Sequence, residues 1–402
     1  MKLTIEQQRA IDRVAHWLKS GDSNQFYLAG LAGTGKTTLA KYFAEQFNGS
    51  VVFAAFTGKA ASVLRAKGCP NAMTIHSMIY KPSGDTHGKR VEELKKLLDN
   101  ELDEPSPDND KIRGWQSELD ELSSKSRAMF EVRDDPEIVD HELVVIDECS
   151  MISEDMGRDL LSFGVPVLFL GDPGQLPPVN GKAFLQDQRP DFELTEIHRQ
   201  ARESPIIRLA HDIRNGVSVP FGEFGDGVEH RRKDDFDWDV VNAADQVLTG
   251  KHVTRRAINR QLRKMRGFAS SRFPLPGEKL ICKKNDRDDG VLNGIVCECL
   301  NEAKRYKNSI SLDVMYEGER KRLLSTPEHF ELHYGKQQSF PQYRAVHQFD
   351  FGYALTVHSA QGSQWRNVVV ADDGMQSKNA NFRRQWLYTA MTRAEAGLIW
   401  YQ

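Results

Sequence analysis

The feature that most constrains this chain is a glycine-rich turn between a short apolar run and a helical pattern. Residues 26–29 are mostly apolar, and the following GLAGTGKTT fits G-x-x-x-x-G-K-[ST], with Lys36 and Thr37 in the last two motif positions. Glycines let backbone N–H groups surround phosphate oxygens, and the next helix adds the positive end of its dipole. We therefore expect a nucleoside triphosphate site in which Lys36 reaches the β- and γ-phosphates and Thr37 holds Mg²⁺. The residues expected to bind the nucleotide here are Gly33, Thr34, Gly35, Lys36, Thr37 and Thr38.

Length and composition bound the class of protein. The 402 residues exceed one ordinary hydrophobic core, so two or more domains are expected. With 39% hydrophobic and 28% charged residues, the composition is typical of a soluble globular protein without a membrane span or secretory signal. Five cysteines, an odd number without paired spacing, fit a reducing cytoplasm. Cys297 and Cys299 alternate within an apolar run, which predicts buried thiols on one strand face rather than a metal site.

Charge is distributed unevenly along the chain, although the net charge is only −3. Residues 251–287 contain twelve Lys/Arg against two acidic residues, whereas residues 92–142 contain seventeen acidic residues against seven basic ones. The basic block fits a surface that faces a polyanion, and a solvated helix face is the alternative. The acidic stretch has sparse helical periodicity between proline-rich loops, which predicts a mostly helical insertion.

Two further apolar runs end in polar residues that suit phosphate chemistry. Residues 142–146 read as a buried parallel strand and deliver Asp147 and Glu148, which we expect to hold Mg²⁺ and to deprotonate the attacking water. Residues 165–170 deliver GDPGQLPP, in which the Gln175 amide is placed to sense the γ-phosphate. Because parallel strands present their carboxyl ends at one edge, these groups and the glycine-rich loop predict a RecA-type ATPase core.

The motifs together resemble those of superfamily 1 helicases. The segments LAGLAGTGKTT, VVIDECSM, FLGDPGQLPPV, LTEIHRQ, TVHSAQGSQW and WLYTAMTRA occur in the family's order and are most similar to the RecD-like and Dda-like branch, superfamily 1B. The resemblance covers most of the chain and weakens over residues 81–136 and 300–345. It implies two RecA-like cores that clamp ATP and Mg²⁺ between them.

The resemblance implies roles around the nucleotide. Gln7 corresponds to a glutamine that reads adenine, although a surface role is the alternative. Arg199 and Arg393 correspond to arginines that approach the γ-phosphate, where guanidinium groups stabilise transferring charge; Gln361 corresponds to a position that couples the ATP and DNA sites. The expected catalytic residues are Lys36, Glu148, Gln175, Arg199 and Arg393.

The resemblance also implies contacts with single-stranded DNA. Hydroxyls, lysine and helix-start N–H groups suit backbone phosphates. Where relatives usually carry Pro-Thr this chain has Phe56-Thr57, and Phe56 either stacks on a base or packs in the core. The expected DNA-binding residues are Phe56, Thr57, Lys59, Thr74, His76, Thr356, His358 and Ser359.

The expected fold class is α/β, with two RecA-like parallel-sheet cores, an acidic insertion in the first and a small β-barrel in the second. The expected bounds are 1–80 and 137–190 for the first core, 81–136 for the insertion, 191–275 and 346–402 for the second core, and 276–345 for the barrel. The insertion is a candidate strand-separating wedge, in which Trp115 and Phe130 are expected to pack internally.

The resemblance implies an ATP-dependent DNA helicase that moves 5′→3′ on single-stranded DNA, with the direction taken from the family branch. The expected partners are single-stranded and forked DNA, with a single-strand-binding or replisome protein as a further candidate. We expect a cytoplasmic monomer in a bacterial or phage-infected cell, acting in replication, repair or recombination. A motor that remodels protein–DNA complexes without unwinding, or one that acts on RNA, carries the same motifs and is the alternative.

Overall fold

The computed structural model describes residues 3–82, 111, 115, 130–134, 136–178, 182–197, 203–285, 290–306, 309–335, 347–374 and 379–402. The chain divides into two compact units, one formed by Met1–Thr74 with Asp140–Gln402 and the other by Ile75–Val139. Most of the predicted acidic insertion, and with it any wedge, lies outside the described residues. Among the described helices, none is both long and apolar enough to cross a lipid bilayer.

The first sheet contains the strand that leads into the glycine-rich turn. All of its strands run in the same direction. Its carboxyl edge therefore collects the loops that follow the strands. Its elements in chain order are α1 (Ile5–Ser20), β1 (Gln25–Gly30), α2 (Lys36–Gln46), β2 (Val51–Ala55), α3 (Gly58–Ala66) and β3 (Met73–Thr74).

The smaller unit begins directly after β3. Two short antiparallel strands pair Tyr80 with Val132, which brings residues 80–82 next to residues 130–132. The Ile79 carbonyl accepts a backbone hydrogen bond from Arg133, which extends this pairing. Trp115 is helical and half-buried. The elements of this unit are α4 (Ile75–Ile79), β4 (Tyr80–Pro82) and β5 (Phe130–Val132).

The first sheet is completed by three strands that follow the smaller unit. They are β6 (Leu143–Asp147) and β7 (Val167–Gly171), joined by α5 (Glu154–Ser162), and then β8 (Phe192–Leu194). The strand order is β3-β2-β6-β7-β1-β8, and every pairing is parallel. All five residues of β6 and of β7 are buried, as the continuous apolar runs predict for strands covered on both faces.

A second sheet of the same kind follows, interrupted by a separate antiparallel sheet. The elements up to the interruption are α6 (Pro205–Arg214), β9 (Gly222–Gly225), β10 (Val228–Arg231), α7 (Trp238–Ala243), β11 (Gln246–Thr249) and α8 (His252–Met265). The interrupting elements are β12 (Lys279–Cys282), β13 (Val296–Cys299), β14 (Lys304–Tyr306), β15 (Ser309–Tyr316), β16 (Glu319–Ser325), α9 (Glu328–Leu332) and β17 (Phe349–Phe351). The chain ends with β18 (Ala354–Thr356), β19 (Trp365–Ala371), α10 (Ala380–Met391) and β20 (Ala394–Tyr401).

The order of the second sheet is β18-β11-β19-β20-β10-β9, parallel except at its outer strand β9. The interrupting sheet curls into a half-barrel of order β14-β15-β13-β12-β17, with β16 paired to β15. The predicted fold class is therefore confirmed: two parallel-sheet cores, with a small antiparallel sheet inserted in the second. Cys297 and Cys299 are buried thiols, as expected.

Two arginines of the basic block lie on α8 but belong to neither a polyanion-facing surface nor a solvated helix face, because they are buried. Arg255 is 6% exposed and its Nη1 lies 2.6 Å from an Asp350 carboxylate oxygen. Arg263 is 1% exposed and binds both oxygens of Glu278, at 2.6 and 2.8 Å. Because α8 packs between the second sheet and the inserted one, every third or fourth residue turns inward whatever its charge, and a buried charge requires a partner. Arg260 on the same helix is exposed.

We predict that Arg263→Ala destabilises the protein by about 3–5 kcal/mol, because it leaves the buried Glu278 carboxylate without its bidentate partner. Urea denaturation, read as the shift in unfolding midpoint, measures this change. The matched control is Arg260→Ala, which removes an exposed arginine from the same helix and should change the unfolding free energy by less than about 0.5 kcal/mol. Equal midpoints for the two variants would contradict the structural role of Arg263.

Candidate nucleotide site and the junction of the two cores

The glycine-rich loop joins β1 to α2 in the conformation that its sequence predicts. Gly33 and Gly35 have φ of 84° and 85°, a left-handed conformation that residues with a side chain rarely adopt. The helix begins at Lys36, whose ammonium donates to the carbonyls of Gly30 at 2.6 Å and Leu31 at 3.0 Å. The loop thus holds this ammonium at the carboxyl end of β1.

Two carboxylates lie at the end of β6, which is separated from β1 by β7 in the sheet. Glu148 has φ of 54°, and its backbone N–H donates to the Asp147 carboxylate at 2.9 Å. Burial, followed by the nearby Glu148 charge, raises the pKa of Asp147 to about 6. A divalent cation would offset both effects, because it supplies positive charge where a buried carboxylate has little water. With the Thr37 hydroxyl lining the same cavity, these oxygen donors fit Mg²⁺.

A cavity of about 590 Å³ brings these groups together with residues of the second core. This volume lies within the range of small-molecule sites. The first core contributes Gly33, Gly35, Lys36, Thr37, Thr38, Asp147, Glu148, Asp172 and Gln175, and the second contributes Gly362, Gln364, Thr392, Arg393 and Glu395. The site therefore draws on both sheets.

Arg393 is the cationic residue that the second core places at this cavity among the described residues. It is 4% exposed, and its guanidinium donates to the carbonyls of Thr389 at 3.0 Å and Ser363 at 3.4 Å. Its Nη1 lies 4.0 Å from a carboxylate oxygen of Glu148. The second expected arginine, Arg199, lies outside the described residues, and its role stays a prediction.

The segment after β7 connects the cavity to the second core. Gln175 is buried at the cavity, and its side-chain oxygen has no hydrogen-bond partner among the described residues. One residue further, the Leu176 N–H donates to the Thr389 hydroxyl at 2.9 Å, and its carbonyl accepts from the Gln361 amide at 3.0 Å. Gln361 thus contacts the segment that carries Gln175, a position suited to coupling.

Gln7 lies beside the glycine-rich loop and is almost fully buried. Its side chain completes a capping box with Thr4, at the start of α1. Its amide nitrogen also donates to the Thr34 carbonyl at 3.4 Å. The structure therefore fixes Gln7 against the phosphate loop, while its reading of adenine stays a prediction.

Three of the residues expected to bind DNA, Phe56, Thr57 and Lys59, lie between the end of β2 and the first turn of α3. Thr57 caps α3 by accepting from the Ala60 N–H at 3.1 Å, and a side chain added at Gly362 would lie 3.0 Å from the Thr57 hydroxyl. Thr57 of the first core therefore touches the second core. Phe56, Thr57 and Lys59 are half-buried. The choice for Phe56 between base stacking and core packing stays open.

The DNA-binding candidates of the second core are Thr356, the last residue of β18, and His358 and Ser359, which follow it. The Thr356 hydroxyl donates to the Ser359 hydroxyl at 3.0 Å, and the Lys283 ammonium reaches Ser359 at 3.4 Å. Burial lowers the pKa of His358. Thr356 and Thr74 are buried, at 5% and 4% exposed, whereas the His76 ring packs beside Tyr80 in the smaller unit.

Sequence reasoning missed Asp172 and Tyr388 at the junction of the cores. Both lie inside motifs that carry the helicase resemblance, GDPGQ and LYTAMTRA. The Tyr388 hydroxyl donates to Asp172 at 2.7 Å and accepts from the Ala32 N–H at 2.7 Å. A tyrosine in an apolar helix reads as a core residue, so only the tertiary contact reveals this bond.

Comparison with known proteins places this architecture in a family. The AAA-domain family matches residues 2–220, and the UvrD-like helicase C-terminal domain matches residues 351–401. The ATP-dependent RecD2 DNA helicase of Deinococcus radiodurans is 27% identical over an alignment 422 residues long, which covers 98% of this chain and 48% of that protein. The ATP-dependent DNA helicase Dda of phage T4 is 26% identical over 229 residues, covering 53% of this chain and 43% of that protein.

Solved structures share the fold. The Pif1 helicase from Bacteroides in complex with ADP-AlF3 and single-stranded DNA has a TM-score of 0.56 at 19% identity. A Pif1 structure described as unwinding forked double-stranded DNA has a TM-score of 0.55 at 20% identity. Both comparisons cover all of this chain and 92% of the other.

This chain spans less than half the length of the two curated relatives named above. The AAA-domain match nevertheless covers more than half of this chain, and the UvrD-like match covers the last strands of its second sheet. The chain therefore belongs to the AAA-domain family, and its relatives include the RecD2 and Dda helicases.

Proposed function

We propose that this protein is an ATP-driven DNA helicase that moves 5′→3′ along single-stranded DNA. The observation that carries the proposal is the cavity lined by both sheets, in which Arg393 of the second core lies 4.0 Å from Glu148 of the first. Chemistry at such a place can move the two cores relative to each other, because bond changes in the nucleotide alter contacts on both sides. The RecD2 and Dda relatives are ATP-dependent DNA helicases, which agrees with this function.

In the proposed mechanism the first core binds the triphosphate and positions water. The loop N–H groups and Lys36 bind the phosphates, and Thr37 and Asp147 hold Mg²⁺, which supplies charge to neutralise the phosphate oxygens. Glu148 accepts the proton of the attacking water. Arg393 stabilises the charge that develops on the transferred phosphoryl group.

Movement in the proposed cycle arises at the junction between the cores. Thr57 and Lys59 of the first core and Ser359 of the second provide DNA contacts on both sides of this junction. Gln361, two residues after Ser359, donates to the Leu176 carbonyl next to the cavity residue Gln175. Alternating closure and reopening of the cores would therefore change the spacing between two grips on the DNA backbone.

We also propose the domain division and the polarity. We keep the expected bounds of 1–80 and 137–190 for the first core, 191–275 and 346–402 for the second, 276–345 for the half-barrel and 81–136 for the helical insertion. One exception is β17 (Phe349–Phe351), which pairs with β12 and is assigned to the half-barrel. The 5′→3′ direction follows from the resemblance to the superfamily 1B branch. Single-stranded and forked DNA are the proposed substrates, and the monomer is the proposed active form.

Glu148→Gln should lower the ATP hydrolysis rate by about 10²–10⁴-fold, because the amide cannot accept the water proton. Binding of a fluorescent ATP analogue should remain within about twofold of wild type, since Lys36 and the loop are unchanged. Steady-state hydrolysis and analogue titration measure the two quantities. Glu154→Gln, an exposed change on α5, is the matched control. Hydrolysis near the wild-type rate in Glu148→Gln would remove Glu148 from the role of base.

Arg393→Ala should reduce hydrolysis by about 10³-fold, because the transferring phosphoryl charge loses its guanidinium partner. The affinity for a fluorescent single-stranded oligonucleotide should change by less than about twofold, because Arg393 faces the nucleotide cavity. Arg366→Ala, an exposed arginine of β19, serves as the control. A selective loss of DNA affinity in Arg393→Ala would move this residue to the DNA site.

Strand separation tests the function as a whole. Duplexes with a 5′ single-stranded tail should unwind in the presence of Mg-ATP, whereas duplexes with a 3′ tail should not. Lys36→Ala should abolish unwinding of both, because its ammonium is needed at the phosphates. Fluorescence dequenching on strand release gives the rates. Unwinding of only the 3′-tailed duplex would reverse the polarity, and hydrolysis stimulated by DNA without any unwinding would favour a remodelling motor.

A further inference from the structure

One buried hydroxyl of the second core binds two nucleotide-site segments of the first core. Tyr388 lies near the end of α10 and is fully buried. Its hydroxyl accepts from the N–H of Ala32, which belongs to the loop between β1 and α2. It donates to Asp172, directly after β7. Both distances are 2.7 Å, so a single side chain connects α10 to both segments.

The direction of these two bonds is fixed by chemistry. A backbone N–H can only donate, so the hydroxyl oxygen of Tyr388 must accept from Ala32. Burial, followed by the nearby Asp172 charge, raises the pKa of Tyr388 well above its usual value, so the hydroxyl keeps its proton and donates to Asp172. Hydrogen bonds to a carboxylate are shorter and stronger than neutral ones, particularly where water is excluded.

Asp172 connects this hydroxyl to the phosphate-binding lysine. Its carboxylate lies 3.9 Å from the Lys36 ammonium and accepts from the Gly174 N–H at 2.8 Å. Phosphates of a nucleotide would attract Lys36 away from Asp172, because they carry more negative charge. The Asp172 charge would then depend more strongly on Tyr388, which tightens the bond between the two cores.

The helix that carries Tyr388 also leads to Arg393. Thr389 accepts from the Leu176 N–H, so two successive residues of α10 bind the segment after β7. A side chain added at Gly174 would lie 2.9 Å from the Tyr388 ring and 2.3 Å from Arg214, so this segment packs directly on the second core. A displacement of Tyr388 therefore shifts the end of α10, from which Arg393 enters the cavity.

We infer that Tyr388 is a positioning residue that transmits occupancy of the phosphate loop, through Asp172, to the helix that places Arg393. This inference rests on the proposed function, because it assigns a part in that ATP cycle. Tyr388 acts through its two bonds and is absent from the residues that line the nucleotide cavity in the described structure. Its loss should affect turnover that depends on both cores more than binding of the nucleotide by the first core.

Tyr388→Phe tests the inference because it removes the hydroxyl and keeps the ring. The matched control is Tyr401→Phe, since Tyr401 is equally buried and its hydroxyl contacts Arg231 and Asp237 within the second core. ATP hydrolysis is measured with and without an oligo-dT strand, together with the Kd of a fluorescent ATP analogue. We expect a loss of about tenfold in DNA-stimulated kcat for Tyr388→Phe, with the analogue Kd and oligo-dT Kd within about twofold. Tyr401→Phe should retain the stimulation.

Three results would overturn the inference: full DNA stimulation in Tyr388→Phe, an equal loss in Tyr401→Phe, or a loss explained by weaker analogue binding. If Tyr388→Phe does not fold, Thr389→Val removes the neighbouring bond between the cores and should show the same split, and unchanged stimulation in that variant overturns the inference. A wild-type protein without DNA-stimulated hydrolysis would refute the proposed function and this inference together. Stimulated wild type with unaffected Tyr388→Phe would refute the inference alone.

Discussion

The proposed function requires phosphate charge to be neutralised where the two parallel sheets meet, and this requirement accounts for much of the junction. A single core can surround phosphates with N–H groups and one ammonium, as the loop before α2 does. The second core adds a buried guanidinium, which is costly to bury without nearby acceptors. Arg393 has them in two backbone carbonyls and in Glu148 at 4.0 Å. The loop N–H groups and Lys36 therefore come from the first core and the guanidinium from the second, so both cores contribute charge to the cleft.

The junction of the cores is held by polar contacts, most of which join a side chain to a main-chain group, while the Tyr388 hydroxyl donates to the Asp172 side chain. Gln361 and Thr389 bind the two polar atoms of Leu176, and Tyr388 binds the loop at Ala32. Apolar packing accompanies them, since Leu176 is buried among second-core residues. Hydrogen bonds are directional, so such a junction has few alternative registers. This property suits an interface that must return to the same closed arrangement after every cycle.

The motifs made the first core and the cleft predictable because their chemistry depends on local sequence. The left-handed backbone of the loop requires glycine at positions 33 and 35, and the apolar runs before Asp147 and Gly171 favour buried strands. The basic block was not predictable in the same way. A count of charges cannot tell that Arg255 and Arg263 turn inward, since that depends on which faces of α8 are covered by other elements.

The order of the cores was implied by the resemblance to superfamily 1B helicases, whereas local sequence patterns predicted the phosphate loop, the carboxylates at the end of β6 and the α/β class. Each of these follows from interactions between residues close in the chain, or from the common direction of parallel strands. Which side chains meet across the junction depends instead on tertiary packing. Tyr388 and Ala32 are separated by 356 positions in the chain. No local pattern encodes their contact, because it depends on how the two sheets pack once each has formed.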